Sequence, residues 1–409
     1  MKRSLLSILF CLSVSAFCQK TITKSIDSKE LNTKRNVKIF LPKNYTKNVK
    51  INYPVAIVLG DEYLFDLYVG TAKLFANADK APRQIVVGID MKSSYSKDVS
   101  ILESSNLLTS NAIHFYNFIK HELIPFLERS YRTSPFITIA GEGKGANFIT
   151  HFLKEPEPIF NAYICATPEF AKYSPEIIKS YSPKRLENMD NTFFIYASNS
   201  KAHTTDELFR RFNEINTFLT SFEAKNLHVI FDKSENSPGF LSTIAETIPR
   251  AMTSIFSIYS KISKSEYEKN IKDLAPLEAI KFLEKKYIDI QYLYGSNLNV
   301  RLDDIYAIEG IVIDKQDGDY LRVLGDFVKI KYPELHLGDY YTGKYYELKK
   351  NYEKADFYYK ASYGKMNPSD PNANELYKNI KRVNDLLENQ KLEKNEPIEE
   401  EENLEKEDH

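Results

Sequence analysis

Between residues 37 and 262 the chain repeats one pattern, in which a short uninterrupted apolar run is followed by a stretch with apolar residues at helical spacing. The runs at 54–59, 84–89, 136–140, 163–166, 192–197 and 227–231 show no polar alternation, as expected for strands with both faces buried. Between them, 111–131 carries Ile113, Phe115, Phe118, Ile119, Leu123, Phe126 and Leu127 at helical spacing, and 204–224 repeats the pattern with Leu208, Phe209, Phe212, Ile215 and Phe218. Strand and helix in alternation imply a mostly parallel sheet covered by helices. An antiparallel start is expected at 37–41.

The polar stretch Ser260-Lys261-Ile262-Ser263-Lys264-Ser265-Glu266 marks a boundary, after which strand-like runs nearly stop. At 409 residues the chain is long enough for two cores, and its 28 Tyr and 25 Phe supply bulky side chains for both. In the second part Gly343, Tyr346, Ala355 and Tyr359 stand at offsets of three, twelve and sixteen from the glycine, as in a tetratricopeptide repeat, and Pro368 closes the unit. One such unit cannot bury its own face, so less regular helices over 266–332 and a last helix at 374–388 are expected to stack on it. The expected organisation is an α/β domain over 19–262 and a smaller all-helical domain over 266–389.

The ends read differently. Lys2 and Arg3 precede an apolar run from Leu5 to Ala16, too short to span a bilayer, and this is the pattern of an export signal, residues 1–18, cleaved after Cys18. Removal of Cys11 and Cys18 leaves Cys165 alone, so the mature chain forms no internal disulfide, and Cys165 in an apolar strand reads as a buried small hydrophobe. Residues 391–409 hold nine acids and three lysines, leaving the remainder at about +5, and 390–409 is expected to be an acidic, solvated tail. Nucleic acid is not the partner this charge distribution implies, and no span is expected in the mature chain.

Where the run 136–140 meets the following helix, the sequence reads Gly141-Glu142-Gly143-Lys144-Gly145-Ala146. The spacing is that of the nucleophile elbow G-x-S-x-G, a strained strand-to-helix turn that lifts a hydroxyl above the sheet. The residues Tyr53-Pro54-Val55-Ala56-Ile57-Val58-Leu59-Gly60-Asp61, then Lys120-His121-Glu122-Leu123-Ile124-Pro125-Phe126-Leu127 with Tyr131-Arg132-Thr133, and Phe160 to Ile164 with Thr167-Pro168-Glu169, surround it. These blocks resemble the putative esterase family that includes esterase D and siderophore esterases, over roughly residues 37 to 260. The resemblance implies an α/β-hydrolase fold with a mostly parallel sheet, here followed by an all-α tetratricopeptide-like domain, and hydrolysis of esters or thioesters by serine, histidine and an acid.

Carried across, the family's serine falls on Gly143 and the histidine before it on Glu142. Its catalytic histidine belongs in the loop after the last strand, 232–239, where Ser237 and its neighbours offer no imidazole. Asp206 or Glu207 is left as a relic acid, and both also stand where helix caps occur. An acid alone neither attacks a carbonyl nor shuttles a proton. Of the seven histidines, His114, His121, His151, His203, His228, His336 and His409, only His203 lies in a loop on the active-site side of the expected sheet. There is no H-x-x-x-H or C-x-x-C pattern, so neither metal nor cofactor is expected, and the glycines lack the spacing of a phosphate loop. The expectation is an exported, periplasmic or secreted esterase-like protein without catalysis, binding a protein or small ligand through its old cleft or its helices. The alternative is a working hydrolase whose nucleophile is Ser198 or Ser237, which requires His203 beside that hydroxyl.

Overall fold

The computed structural model describes residues 20–395 except 182, 223, 235–236, 238, 297, 316–317 and 368; the expected signal segment, residues 396–409 and Pro368 lie outside the described residues. Two compact units result, one formed by the described residues through Lys261 together with Ile288–Leu298, the other by Ile262–Tyr287 and the described residues from Asn299.

The first unit is built on an eight-stranded sheet whose strands are β1 (Lys20–Ser28), β2 (Thr33–Leu41), β3 (Tyr53–Leu59), β4 (Ile85–Ile89), β5 (Thr133–Glu142), β6 (Ala162–Ala166), β7 (Phe193–Ser198) and β8 (Leu227–Asp232). Their order across the sheet is β1-β2-β4-β3-β5-β6-β7-β8. From β4 to β8 every pairing is parallel, and β2 runs antiparallel to both β1 and β4. β5 is therefore central, with Leu59, Gly141 and Cys165 side by side across β3, β5 and β6. All seven residues of β3 and all five of β4 are buried, which is why these strands read as unbroken apolar runs.

Helices α1 (Glu62–Asn77), α2 (Gly143–Ile149), α3 (Asp206–Thr220) and α4 (Phe240–Ile255) return the chain to the sheet. The helix expected over 111–131 forms from Ser110 to Ser130, but its middle, Phe118–Leu123, is π-helical. Pro125 follows that segment and has no N–H to offer the carbonyl of His121, so the wider turn lies where α-helical bonding is interrupted. The sheet also gains β1, which the sequence pattern did not reveal. Its residues are mostly exposed on the sheet edge, so it carries Lys, Thr and Ser instead of an apolar run.

A further helix, α5 (Pro276–Tyr294), ends within the first unit, and the helical unit expected over 266–389 is thus interrupted in sequence by 288–298. Tyr294 is fully buried against Phe136 and Phe256, with ring centroids 5.1 and 5.2 Å away, and its hydroxyl donates to the Ile255 carbonyl at 2.5 Å.

The second unit is all-helical among its described residues, with α6 (Leu302–Asp314), α7 (Leu321–Lys331), α8 (Leu337–Leu348), α9 (Tyr352–Lys365) and α10 (Ala373–Asn395) stacked in turn. Between α7 and α8 the backbones nearly touch. A Cβ on Gly325 would lie 2.9 Å from the Gly338 carbonyl oxygen, and one on Gly338 would lie 2.9 Å from that of Gly325. Between α8 and α9 a Cβ on Gly343 would meet Tyr359 Cδ1 at 2.6 Å, and Ala355 and Tyr359 are buried with Leu376, Ile380 and Val383 of α10. Glu347 locks these three helices together, accepting from the Tyr359 hydroxyl at 2.6 Å and from Arg382 at 2.9 Å. The helix α10 runs to Asn395, so residues 390–395, expected above to belong to a solvated tail, are helical. Among the described residues no helix is long and apolar enough to cross a membrane.

Candidate functional site

The carboxyl end of β5 passes into α2 through Gly143, whose φ of +50° lies in the left-handed region that side chains seldom occupy. Two more glycines make the turn possible. A Cβ on Gly141 would meet the backbone C and O of Gly145 at 2.9 Å, and a Cβ on Gly145 would meet the Tyr95 hydroxyl at 2.9 Å. That hydroxyl accepts from the Gly145 N–H and donates to the Glu142 carbonyl, both at 2.9 Å, and so ties the two ends of the turn together. Burial raises the Tyr95 pKa to about 12, which keeps it a neutral donor. This is the geometry of an elbow with its apex side chain removed.

A carboxylate stands beside the empty apex. Glu169 Oε1 would be 3.2 Å from a Cβ on Gly143, and the Glu169 N–H donates to the Gly143 carbonyl at 3.0 Å. On the other side Glu142 is 9% exposed and accepts from the Tyr63 hydroxyl. Burial holds its pKa above the ordinary 4.5, with the Asp61 carboxylate acting in the same direction, against the Tyr63 hydroxyl and the Asp61 backbone N–H, which favour the charged form.

The other expected site residues do not converge on this turn. Asp206 is the first residue of α3, its side chain 93% exposed, with Lys201 at 3.9 Å. Thr205 is the cap of that helix, accepting from the Leu208 N–H at 3.2 Å, and Glu207 pairs with Arg211 one turn on. The residues that directly follow β7, where this fold places its catalytic acid, are Asn199 and Ser200. His203 is exposed on the short turn Lys201–His203.

Among the described residues neither alternative nucleophile is paired with an imidazole. Ser198 is buried and shares a hydrogen bond with Thr247, whose hydroxyl donates in turn to the Thr243 carbonyl at 2.6 Å. Ser237 accepts from the Thr243 hydroxyl at 3.0 Å and donates to the Gly239 carbonyl at 3.3 Å. A run of hydroxyls thus occupies the ends of β7, β8 and the adjoining face of α4. Lys144 lies on the exposed side of α2. Cys165 is buried, its thiol directed to the Ala146 carbonyl at 3.6 Å and its pKa pushed up to about 12 by burial, so the reactive thiolate is suppressed.

Next to the elbow, a cleft of about 370 Å³ opens at the carboxyl ends of β3 and β4, lined by Gly60, Asp61, Tyr63, Asp90, Met91 and Lys92 among others. A larger cavity of about 990 Å³ is lined by Phe194, Tyr196, His228 and Ile230 from β7 and β8 with Arg250 of α4 and Tyr292 of α5. Size favours the second, but ligands of open parallel sheets bind at the carboxyl ends of the strands, and the smaller cleft is the one at that end.

Fold, strand order and elbow together define an α/β hydrolase. Over residues 28–154 the chain matches the family described as Putative esterase. A solved structure of an uncharacterised protein from Capnocytophaga ochracea is similar at a TM-score of 0.77 and 21% identity, covering 90% of this chain and 100% of that one. An IroE-like serine hydrolase from Shewanella oneidensis is similar at a TM-score of 0.52 and 16% identity, covering 74% of this chain and 96% of that one. The uncharacterized protein YjcH of Bacillus subtilis is 23% identical over 207 residues, 50% of this chain and 84% of that protein. The first unit thus has the α/β-hydrolase fold, and part of it, residues 28–154, is esterase-like in sequence.

Proposed function

We propose that this protein is an exported pseudo-hydrolase, periplasmic or secreted, that binds a protein or small ligand through its cleft, its helical unit, or both, without turning over an ester. One observation carries the reading: the apex of the elbow is Gly143, at φ +50°, with a glutamate beside it where the fold presents a serine. An ester hydrolase of this type needs a hydroxyl at that point and an imidazole within reach to take its proton. Loss of the serine or the histidine costs comparable hydrolases roughly 10⁶ in turnover, which leaves no useful rate. The hydroxyls of Ser198 and Ser237 are engaged with Thr247 and Thr243, which argues against either as a substitute.

The leader-like residues 1–18 support export, and the close packing of Gly343, Ala355 and Tyr359 supports a tetratricopeptide-like role for α8 and α9 as a binding module. Capture from the cell envelope with the mature chain, compared with a chain lacking its helical unit's exposed aromatics Phe357 and Tyr377, tests the binding role. Equal and negligible recovery of specific partners by both would contradict it.

A further inference from the structure

Hydrolases of this fold receive the developing oxyanion with two backbone N–H groups, one from the residue after the nucleophile and one from the loop after β3. In this chain the first is the amide of Lys144 and the second lies in Gly60-Asp61-Glu62. The second place is already filled. The Glu142 side chain turns away from the elbow and lies on that loop, with Oε1 3.4 Å from where a Cβ on Gly60 would stand. The Tyr63 hydroxyl donates to Oε2, and the Asp61 backbone N–H lies on the side of the carboxyl group where it favours the charged form. Gly60, at φ +141°, has the backbone freedom that lets the loop present its amides in this direction.

We propose that Glu142 is a tethered occupant of the oxyanion site, its carboxyl group standing where related folds hold a substrate's carbonyl oxygen or an acid product. Three observations agree on this. The carboxyl is buried, it lies against Gly60 of the loop after β3 with the Tyr63 hydroxyl donating to it, and the cleft beyond Tyr63 is lined by Gly60, Asp61 and Tyr63 but by none of Glu142, Gly143 and Lys144. Tyr63 thus stands between cleft and elbow, lining the cleft with its ring and holding Glu142 on the elbow side with its hydroxyl. A carbonyl brought past Tyr63 to the loop after β3 would meet a carboxyl group in place of a donor. The elbow is thus closed twice, by loss of the apex hydroxyl and by an internal carboxyl on the loop after β3, and the second closure does not depend on the first.

The test uses the full-length chain with sodium acetate as the probe. Glu142→Ala leaves a vacancy of carboxylate size with the Asp61 N–H and Tyr63 hydroxyl unpaired. Acetate at about 100 mM should then raise the melting temperature of that variant by about 2–5 °C over equal sodium chloride. Wild type and Glu142→Gln, whose amide oxygen still fills the place, should show no such shift. An equal acetate response in wild type and Glu142→Ala, or none in a folded Glu142→Ala, would overturn the proposal. Should Glu142→Ala fail to fold, a crystal structure of the wild-type protein decides. A Glu142 carboxyl on the Asp61 amide supports the proposal, and one turned into solvent defeats it.

Discussion

Gly141→Ala is the substitution that most sharply probes the elbow. Gly141 lies in the central strand, held in register between Leu59 and Cys165, so its backbone cannot move without disturbing both neighbours. An added Cβ would sit 2.9 Å from the C and O of Gly145 and 3.1 Å from the Ala146 nitrogen. All three are backbone atoms, and the turn that carries them is tied back by Tyr95, so no rotamer change relieves the overlap. Overpacking of this kind costs roughly 1–3 kcal/mol. Gly70→Ala is the control within the same unit, because Gly70 is exposed inside α1 and a Cβ there would meet nothing within 4 Å. Removing a helix-interior glycine should stabilise by about 0.4–1 kcal/mol. The two variants should therefore lie on opposite sides of wild type, about 1.4–4 kcal/mol apart. Two units need not unfold together, so the measurement is denaturant-dependent hydrogen exchange of peptides covering 53–59 and 133–142, which reports the first unit alone. If Gly141→Ala exchanged like wild type while Gly70→Ala showed its gain, β5 and α2 would not meet as closely as described.

Further predictions concern the carboxyl at the elbow, the apex and the helical unit. The folded pKa of Glu142 lies above 4.5, so the stability it contributes is complete below that pH and is lost as pH rises through the folded value. Wild type should therefore lose stability relative to Glu142→Gln as pH increases from about 4.5, and parallel melting profiles would refute the burial argument. Gly143→Ser should cost about 1–2 kcal/mol from its left-handed backbone, with Glu169 having to shift. It should leave activated esters such as p-nitrophenyl acetate uncleaved, since residues 232–239 contain no histidine; turnover well above the uncatalysed rate would contradict this. Ala355→Leu should overpack the contact of Tyr359 with α10 and cost roughly 1–3 kcal/mol, read as faster proteolysis within 337–395 of the full chain; unchanged proteolysis would show that the helices are looser than described.

Sequence alone located the strands that are buried on both faces, because burial itself forces an unbroken apolar run. The edge strand β1 is silent for the opposite reason, with Ile22 and Ile26 packing on the core and Thr21, Thr23, Lys24, Ser25 and Asp27 exposed. The three glycines of the elbow were legible because a sharp strand-to-helix turn tolerates little else at those points. What fills the site was not legible. Tyr63 and Tyr95 reach the elbow from 79 and 50 residues away, and nothing local in Glu142 distinguishes a carboxyl directed onto the loop after β3 from one in solvent. The Ser198–Thr247 pair spans 49 residues and is equally silent in the sequence. Ile290 and Tyr294 of α5 look like any helix's apolar face, so periodicity could not show that residues 288–298 rejoin the first unit.

Whether the elbow carries a working nucleophile is decided by activity-based labelling. Purified mature protein incubated with a fluorophosphonate probe should remain unlabelled by intact-mass analysis, under conditions that label an active serine hydrolase to completion. Stoichiometric labelling of one serine, together with ester turnover abolished by replacing that serine alone, would contradict that expectation and make the protein an enzyme.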